Sequence, residues 1–431
     1  MTVTRGFTGR RAPGHERLPS GQYAETGFPV MSIGPAPAVT ADTWEFTITT
    51  ETGDTRSWDW ERFASLPAER ITKDLHCVTK WSKLDTTWRG VSLDTLLEGV
   101  PTAATHVMAV SADGYTTNLP LKEIKNGKAW LAFEYEGEPL DPEHGGPVRL
   151  LVPRLYLWKS AKWVTGLRLM RRDEPGFWED LGYHDYGDPW REQRYRGELG
   201  AWRAATVTAT RDETATARTI VLDVLGLPAH LPGQTVDVKL TAADGYDAQR
   251  SYSIASAPGR AGHLELTVQR TPGGEVSEHL TRELRPGDAI EVRGPVGGSF
   301  AWDPDEDGRP LLLVAGGSGI VPLMSMIRSN PGKTARLIYS ARTPADIIYA
   351  AELSERITAS PLAATFCYTR EAPPGARLGR IDAAVIAGAG LPPEDKPEVF
   401  VCGPEGFVAA AVSLLIEAGH DPEAIRTERF G

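Results

Sequence analysis

Asp74-Leu75-His76-Cys77-Val78-Thr79-Lys80-Trp81-Ser82 sets one cysteine between a histidine and an apolar residue, with Thr79, Lys80 and Trp81 directly after it. A thiolate in such a wall is a soft, anionic ligand for a thiophilic metal. The same nine residues also fit a buried, inert cysteine that behaves as a small hydrophobe. The segments on either side decide between the two. Three cysteines in 431 residues, Cys77, Cys367 and Cys402, lie far apart in the chain. They offer no disulfide framework, no zinc spacing and no four-cysteine iron–sulfur set.

At about 150 residues per domain, the chain holds roughly three domains. Hydrophobic content of 41% and charged content of 24% are those of globular protein with several cores. A formal charge of −11 argues against nucleic acid or anionic membrane as a main partner. No apolar run reaches membrane-spanning length. Arg10-Arg11 is followed by Pro13, Gly14, His15 and Glu16 where a twin-arginine export signal needs an apolar region. A soluble, cytoplasmic protein is expected.

The opening forty residues are rich in Gly, Pro and Arg, and predict an irregular arm laid over a domain. Short strands and helices follow, separated by long loops. Strands are predicted at Trp44 to Thr49, His106 to Val110, Ala129 to Tyr135, Val148 to Val152 and Val164 to Met170. Val91 to Leu97 predicts a helix with Ser92 as its cap. This mixture predicts an α+β domain over residues 1–195. Its aromatic, acidic end, Phe177 to Tyr195, reads as a wrap around that domain or an interface seal.

Glu138-Pro139-Leu140, His144-Gly145, Pro147, Arg149, Val152-Pro153 and Ser160-Ala161-Lys162-Trp163 stand in an order that resembles the sulfite oxidase superfamily of molybdopterin enzymes. The resemblance spans residues 25 to 170 or so and implies that Cys77 is a molybdenum ligand. It further implies that His144, Arg149, Lys159, Ser160 and Lys162 hold the pterin and its phosphate, which charge-assisted bonds suit. Tyr115, in Tyr-x-x-x-aliphatic-Pro-Leu, matches the family's active-site tyrosine, a phenol able to donate to an oxo group. One departure is informative. Sulfite oxidases carry an arginine pair shortly after the cysteine, whereas Lys80, Trp81 and Lys83 follow it here. Cys77, Trp81 and Ser82 are more similar to the bacterial protein-methionine-sulfoxide reductase branch. A Trp81 wall with Lys80 suits a neutral or weakly charged substrate better than a dianion.

After a short hinge at Arg196 to Gly200 the pattern becomes all-β, with alternation at Val236, Val238 and Leu240 and at Leu264, Leu266 and Val268. Gly- and Pro-containing turns between these runs predict a small antiparallel β-barrel over residues 201–304. Within it, Arg250-Ser251-Tyr252-Ser253, Gly274-Glu275-Val276-Ser277 and Gly294-Pro295-Val296-Gly297-Gly298-Ser299-Phe300 resemble the flavin domain of ferredoxin–NADP reductase relatives. The resemblance implies FAD, with Arg250 at a flavin phosphate, Tyr252 on the ring and Ser253 at its polar edge. Val276-Ser277 would open a helix able to receive the pyrophosphate.

Leu311 to Ala315 is a fully apolar strand followed by Gly316-Gly317-Ser318-Gly319. Repeated strand–helix units over residues 305–431 predict a doubly wound nucleotide domain whose glycine turn meets a dinucleotide phosphate. Cys402-Gly403-Pro404 and Glu428-Arg429-Phe430-Gly431 fit the same reductase family, in which they lie beside nicotinamide and flavin; Cys367 reads as core. Thr369-Arg370, assisted by Arg342, stands where NADPH-using relatives bind the 2′-phosphate, so NADPH is expected over NADH. The expectation is an NAD(P)H-dependent molybdenum reductase of a sulfoxide, N-oxide or similar oxo compound. No haem or ferredoxin module separates its halves, unlike plant nitrate reductase, so no obligatory carrier protein is expected. Two other readings stay open: electron flow in the sulfite-oxidase direction, and a diaphorase carrying a metal-free docking domain.

Overall fold

In a computed structural model, the protein is described over residues 2–10, 14–30, 36–196, 200–259, 262–305, 308–330 and 332–430. The middle of the expected hinge, residues 197–199, and Gly431 lie outside these. The chain divides into two compact units, Arg11–Glu198 and the combination of Met1–Arg10 with Leu199–Gly431.

The first unit is built around a hairpin. Strands Ala68–His76 and Trp81–Ser92 pair antiparallel, and the longer one goes on to pair with Trp130–Tyr135, which in turn pairs with Arg149–Leu151. A second, five-stranded sheet runs in the order Thr55–Asp59, Glu45–Thr49, Val164–Met170, His106–Ser111, Thr116–Pro120. Alternation along the strands sends Phe46, Ile48, Val107, Leu131, Leu150 and Leu167 into one shared core, each at most 1% exposed. Helix Leu93–Leu97 starts as its cap predicts, with the Ser92 hydroxyl accepting from the Asp94 N–H at 3.2 Å. Mixed sheets with short helices make this an α+β unit.

The second unit contains six antiparallel strands in the order Asp247–Ser253, Thr235–Thr241, Ala289–Val296, Arg203–Asp212, Ala217–Val224, His263–Gln269. Its outer strands meet at a bridge between Ile254 and Leu266, and helix Glu275–Arg282 buries Val276 and Leu280 against the same core. Beyond it lies a five-stranded, all-parallel sheet in the order Leu362–Tyr368, Ala335–Ala341, Leu311–Gly316, Glu398–Pro404, Ile425–Phe430. The central strand is buried on both faces, which is why Leu311 to Ala315 shows no alternation. Helix Ile320–Ser329 packs Ile320, Leu323, Met324 and Ile327 against the sheet, as their spacing predicts.

One expectation changes. The opening segment is not a single arm on the first domain, because its first ten residues group with the second unit. Phe7 is 6% exposed within the core of the antiparallel sheet, whereas Tyr23–Ala24 pairs in parallel with Trp81 and Ser82 of the first unit.

Candidate functional site

Cys77 opens the four-residue turn of the hairpin. Its N–H donates to the Trp81 carbonyl at 2.8 Å, and its carbonyl accepts from the Lys80 N–H at 3.1 Å. Lys80 takes a left-handed φ of 74°, which lets so short a turn close. The sulfur is buried, and burial pushes the thiol up. Opposing that, the Thr79 hydroxyl donates to Sγ at 3.1 Å, the N–H groups of Thr79 and Val78 point to it, and the Lys162 cation lies within electrostatic reach. Donors gathered on a buried sulfur favour its thiolate. Lys80 and Trp81 are 4% and 2% exposed, with the Trp81 ring edge-on to Phe28.

Behind the turn runs a polar chain that the sequence reading did not contain. Gln22 donates from Nε2 to the Cys77 carbonyl at 3.0 Å and accepts from the Ser82 hydroxyl at 3.1 Å, while Ser82 contacts His76 Nδ1 at 2.8 Å. Burial holds the His76 imidazole down to about 4, so the ring stays neutral. Tyr156, 1% exposed, lies near the Gln22 side chain and within electrostatic reach of Cys77 and Arg194. The tail reaches this region as well, with the Trp190 ring set edge-on to His76 at 5.9 Å. Gln22 carries no local pattern that marks it, whereas Tyr156 stands four residues before the Ser160-Ala161-Lys162-Trp163 run that does.

The residues expected around the pterin divide into two groups. Tyr115 donates its hydroxyl to the Trp158 carbonyl at 2.7 Å, so that phenol is engaged inside the fold. Lys159 is fully buried and gives its ammonium to Asn118 O, Asn118 Oδ1 and Asp185 O at 2.7 to 2.8 Å and to Glu179 at 2.5 Å. Arg149 is 1% exposed and donates to the carbonyls of His144 and Ser160 at 3.0 and 2.9 Å; burial pulls it down to about 10. Ser160 accepts from the Val152 N–H at 2.9 Å. These four groups brace the loops. His144 and Lys162 stand nearer the surface, with His144 stacked on Phe28 at 4.2 Å and Lys162 donating to the Glu143 carbonyl at 2.7 Å. Between them, a Cβ on Gly145 would come within 2.9 Å of Lys162 Cβ, so the glycine lets the two segments touch.

In the second unit, the expected nucleotide-site residues gather at the carboxyl ends of the parallel strands, where open α/β sheets bind ligands. Gly316, Gly317 and Gly319 turn the chain out of the central strand, and a Cβ on Gly319 would lie 2.0 Å from the Cys402 carbonyl. Gly403 and Gly316 similarly admit the Phe407 ring. Ala341 is the register partner of Tyr368, so Arg342 and the exposed pair Thr369 and Arg370 emerge side by side. Cys402, Gly403 and Pro404 pair with Glu428, Arg429 and Phe430. Glu428 accepts from Ser253 at 3.2 Å and lies 3.7 Å from the Cys402 sulfur; burial pushes its carboxyl up to about 7. Arg250 lies 4.0 Å from Glu275, and Tyr252 packs on the antiparallel core. Ser277 Oγ accepts from the Thr271 N–H at 3.1 Å, beside the buried Val276 at the start of helix Glu275–Arg282.

Residues 33–178 match the oxidoreductase molybdopterin-binding domain family. Over 182 residues, 42% of this chain and 92% of the relative, the protein is 40% identical to the uncharacterized oxidoreductase YuiH of Bacillus subtilis. The chain belongs to the molybdopterin-binding oxidoreductases. Fused to that domain are an oxidoreductase FAD-binding domain, matched at residues 211–302, and an oxidoreductase NAD-binding domain, matched at 313–413. Together they make this molybdopterin-binding oxidoreductase an NAD(P)H-dependent enzyme with molybdopterin, FAD and NAD(P) as cofactors. Over 208 residues, 46% of this chain, it is 33% identical to the glycine betaine monooxygenase reductase subunit of Chromohalobacter salexigens, of whose length it spans 56%. The solved Amycolatopsis cytochrome P450 reductase GcoB aligns with 89% of this chain and 98% of its own at 20% identity and a TM-score of 0.50, a likeness of fold. No helix among the described residues is long and apolar enough to cross a membrane.

The donor set fits a molybdopterin group. Among the described residues there is no cluster of three or more His, Cys, Asp or Glu around Cys77 or elsewhere. A metal at Cys77 would take its protein ligand as that single thiolate.

Proposed function

We propose that this oxidoreductase is a self-contained NAD(P)H-driven reductase of a sulfoxide, N-oxide or similar oxo compound, with Cys77 as its molybdenum ligand. The observation that carries the reading is the Cys77 turn, a buried sulfur with several donors aimed at it, in one chain with FAD- and NAD-binding domains. When bound, the three cofactors supply hydride, electron and oxygen-atom transfer. The protein's part is to hold and shield them. Thr79 and the turn N–H groups oppose the effect of burial and favour the thiolate form of the sulfur, Trp81 walls the site, and Lys80 and Lys162 supply positive charge. His144 and Lys162 are the groups best exposed to meet the pterin phosphate. In the flavin half, which we read as a barrel, Arg250 and the start of helix Glu275–Arg282 receive the flavin phosphates, with Tyr252 and Ser253 at the ring. Gly316 to Gly319 take the nicotinamide dinucleotide, and Cys402 and Phe430 flank its reactive end.

Anaerobic mixing of the holoenzyme with NADPH tests the electron route. Flavin bleaching should be followed by a molybdenum(V) paramagnetic signal with no added carrier. Molybdenum that stays oxidised until a ferredoxin or cytochrome is supplied would overturn internal transfer. The nucleotide preference rests on Arg342 and Arg370 emerging together. Arg370→Ala should weaken NADPH by about 1.5–3 kcal/mol and barely touch NADH. Equal losses in KM for both nucleotides would refute that assignment.

A further inference from the structure

Residues 2–10 lie along the flavin-binding half as a strap, although the molybdopterin domain separates them from it in sequence. Thr4 and Thr241 exchange two bonds, the Thr4 N–H to the Thr241 carbonyl at 2.8 Å and the Thr241 N–H to Thr4 Oγ1 at 3.1 Å. Arg5 grips Asp288 with both prongs at 2.6 Å. Phe7 enters the core, edge-on to His279 at 5.5 Å and stacked over Tyr246 at 6.3 Å. Gly9 has a φ of 68°, and a Cβ there would lie 2.1 Å from the Tyr246 ring. Only glycine allows the backbone to lie on that ring.

The strap ends on one carboxylate. Glu275, first residue of helix Glu275–Arg282, accepts the Arg10 N–H at 2.9 Å and the Tyr246 hydroxyl at 3.1 to 3.2 Å. The Arg10 guanidinium meanwhile holds the Gly273 carbonyl at 3.1 Å and Glu278 at 3.0 Å, closing the strap over the loop that leads into the helix. With Oε2 held in this way, Glu275 Oε1 lies 4.0 Å from Arg250 Nη2, at the outer edge of ion-pair distance. A carboxylate and a phosphate compete for the same guanidinium fork, and Glu275 is the acid placed to compete.

We propose that residues 2–10 are positioning residues of the flavin site, holding the Glu275 carboxylate back so that Arg250 meets the flavin phosphate. The inference rests on the Arg250 reading above. Without the strap, Glu275 loses the Arg10 N–H and closes on Arg250, placing negative charge where the phosphate arrives.

Two single-residue changes in the full chain release this end of the strap. Gly9→Ala sets a methyl into the Tyr246 ring, and Arg10→Pro deletes the N–H that Glu275 accepts. After flavin removal, FAD titration by fluorescence quenching should give a Kd about tenfold weaker in each, the scale of one charge-assisted hydrogen bond. Molybdenum content should stay at the wild-type level. Adding Glu275→Gln should return the wild-type Kd in both backgrounds, because a neutral amide does not compete for Arg250. An unchanged Kd in both single variants overturns the proposal, as does a weakened Kd that Glu275→Gln fails to restore, which would mark the strap as structural only. Arg250→Ala serves as the separate control. If it binds FAD like wild type, the Arg250 reading fails, whatever the strap variants do.

Discussion

Two buried cysteines, one in each unit, sit in opposite polar surroundings. Burial pushes both thiols up, but at Cys77 the Thr79 hydroxyl, two N–H groups and Lys162 oppose the rise, whereas at Cys402 the Glu428 carboxylate adds to it. The neighbours of Cys77 therefore favour its thiolate. Cys402 is prepared to keep its proton and donate it to Glu428. Burial alone does not tell a ligand from a neutral thiol; the sign of the neighbouring charge does.

The largest effect should come from breaking the first half of this contrast. Cys77→Ser replaces a soft thiolate with a hydroxyl, a poorer ligand for a thiophilic metal. Oxo-substrate turnover should fall by more than the roughly 10–100-fold that outer-shell changes cost. NAD(P)H-dependent dye reduction should persist, because it needs only the second unit. Steady-state rates with both acceptors check this, and wild-type oxo-substrate turnover would remove Cys77 from the mechanism.

The second half of the contrast has a pH signature. Burial raises the Glu428 carboxyl to about 7 in the folded chain, against a usual 4.5. A raised carboxyl favours the folded state while it is protonated. That contribution is complete below the unfolded value and is lost as pH rises through about 7. The shift corresponds to about 3 kcal/mol. Glu428→Gln should flatten the fall in urea midpoint between pH 5 and pH 9, and parallel wild-type and variant curves would refute the assignment.

How far the sequence could be read follows the same division between local pattern and distant partner. Leu311 to Ala315 with its glycine turn, and the period of Ile320, Leu323, Met324 and Ile327, are local signals, and the parallel sheet and its helix stand where they point. Cys77 became a candidate ligand only through the family segments on either side, because the nine residues around it also fit an inert core cysteine. Lys159 was not legible as a brace. Its partner Glu179 is twenty residues on, with no periodic relation to it, and only folding makes the pair. Phe7 looked like part of an irregular arm because its core partners, Tyr246 and His279, belong to another domain. Gln22 meets Cys77 through a backbone carbonyl, which no side-chain motif encodes.

The smallest effect, and the one that sharpens the Cys77 side most, compares two tyrosines of the same unit. Tyr115 matches the family pattern, yet its hydroxyl donates to the Trp158 carbonyl and faces Glu179. Tyr156 matches no pattern, yet it lies beside the Gln22 link to the Cys77 turn. Each phenol is buried, and removing the Tyr115 hydroxyl costs a hydrogen bond of about 1 kcal/mol in stability. Their effects on the site should differ. Tyr115→Phe leaves Gln22 and the turn untouched, so kcat should hold while the urea midpoint drops. Tyr156→Phe loosens Gln22, which fixes the Cys77 carbonyl, so the turn carrying the sulfur gains freedom. An outer-shell change of that kind should lower oxo-substrate kcat by about tenfold. It should also shift the molybdenum(V) spectrum, with metal content and dye reduction unchanged. The spectrum separates the alternatives, because a loss that is merely structural moves stability without moving the metal signal. If Tyr115→Phe alters the spectrum and Tyr156→Phe does not, the family pattern names the site phenol correctly and the Gln22 link is only scaffolding.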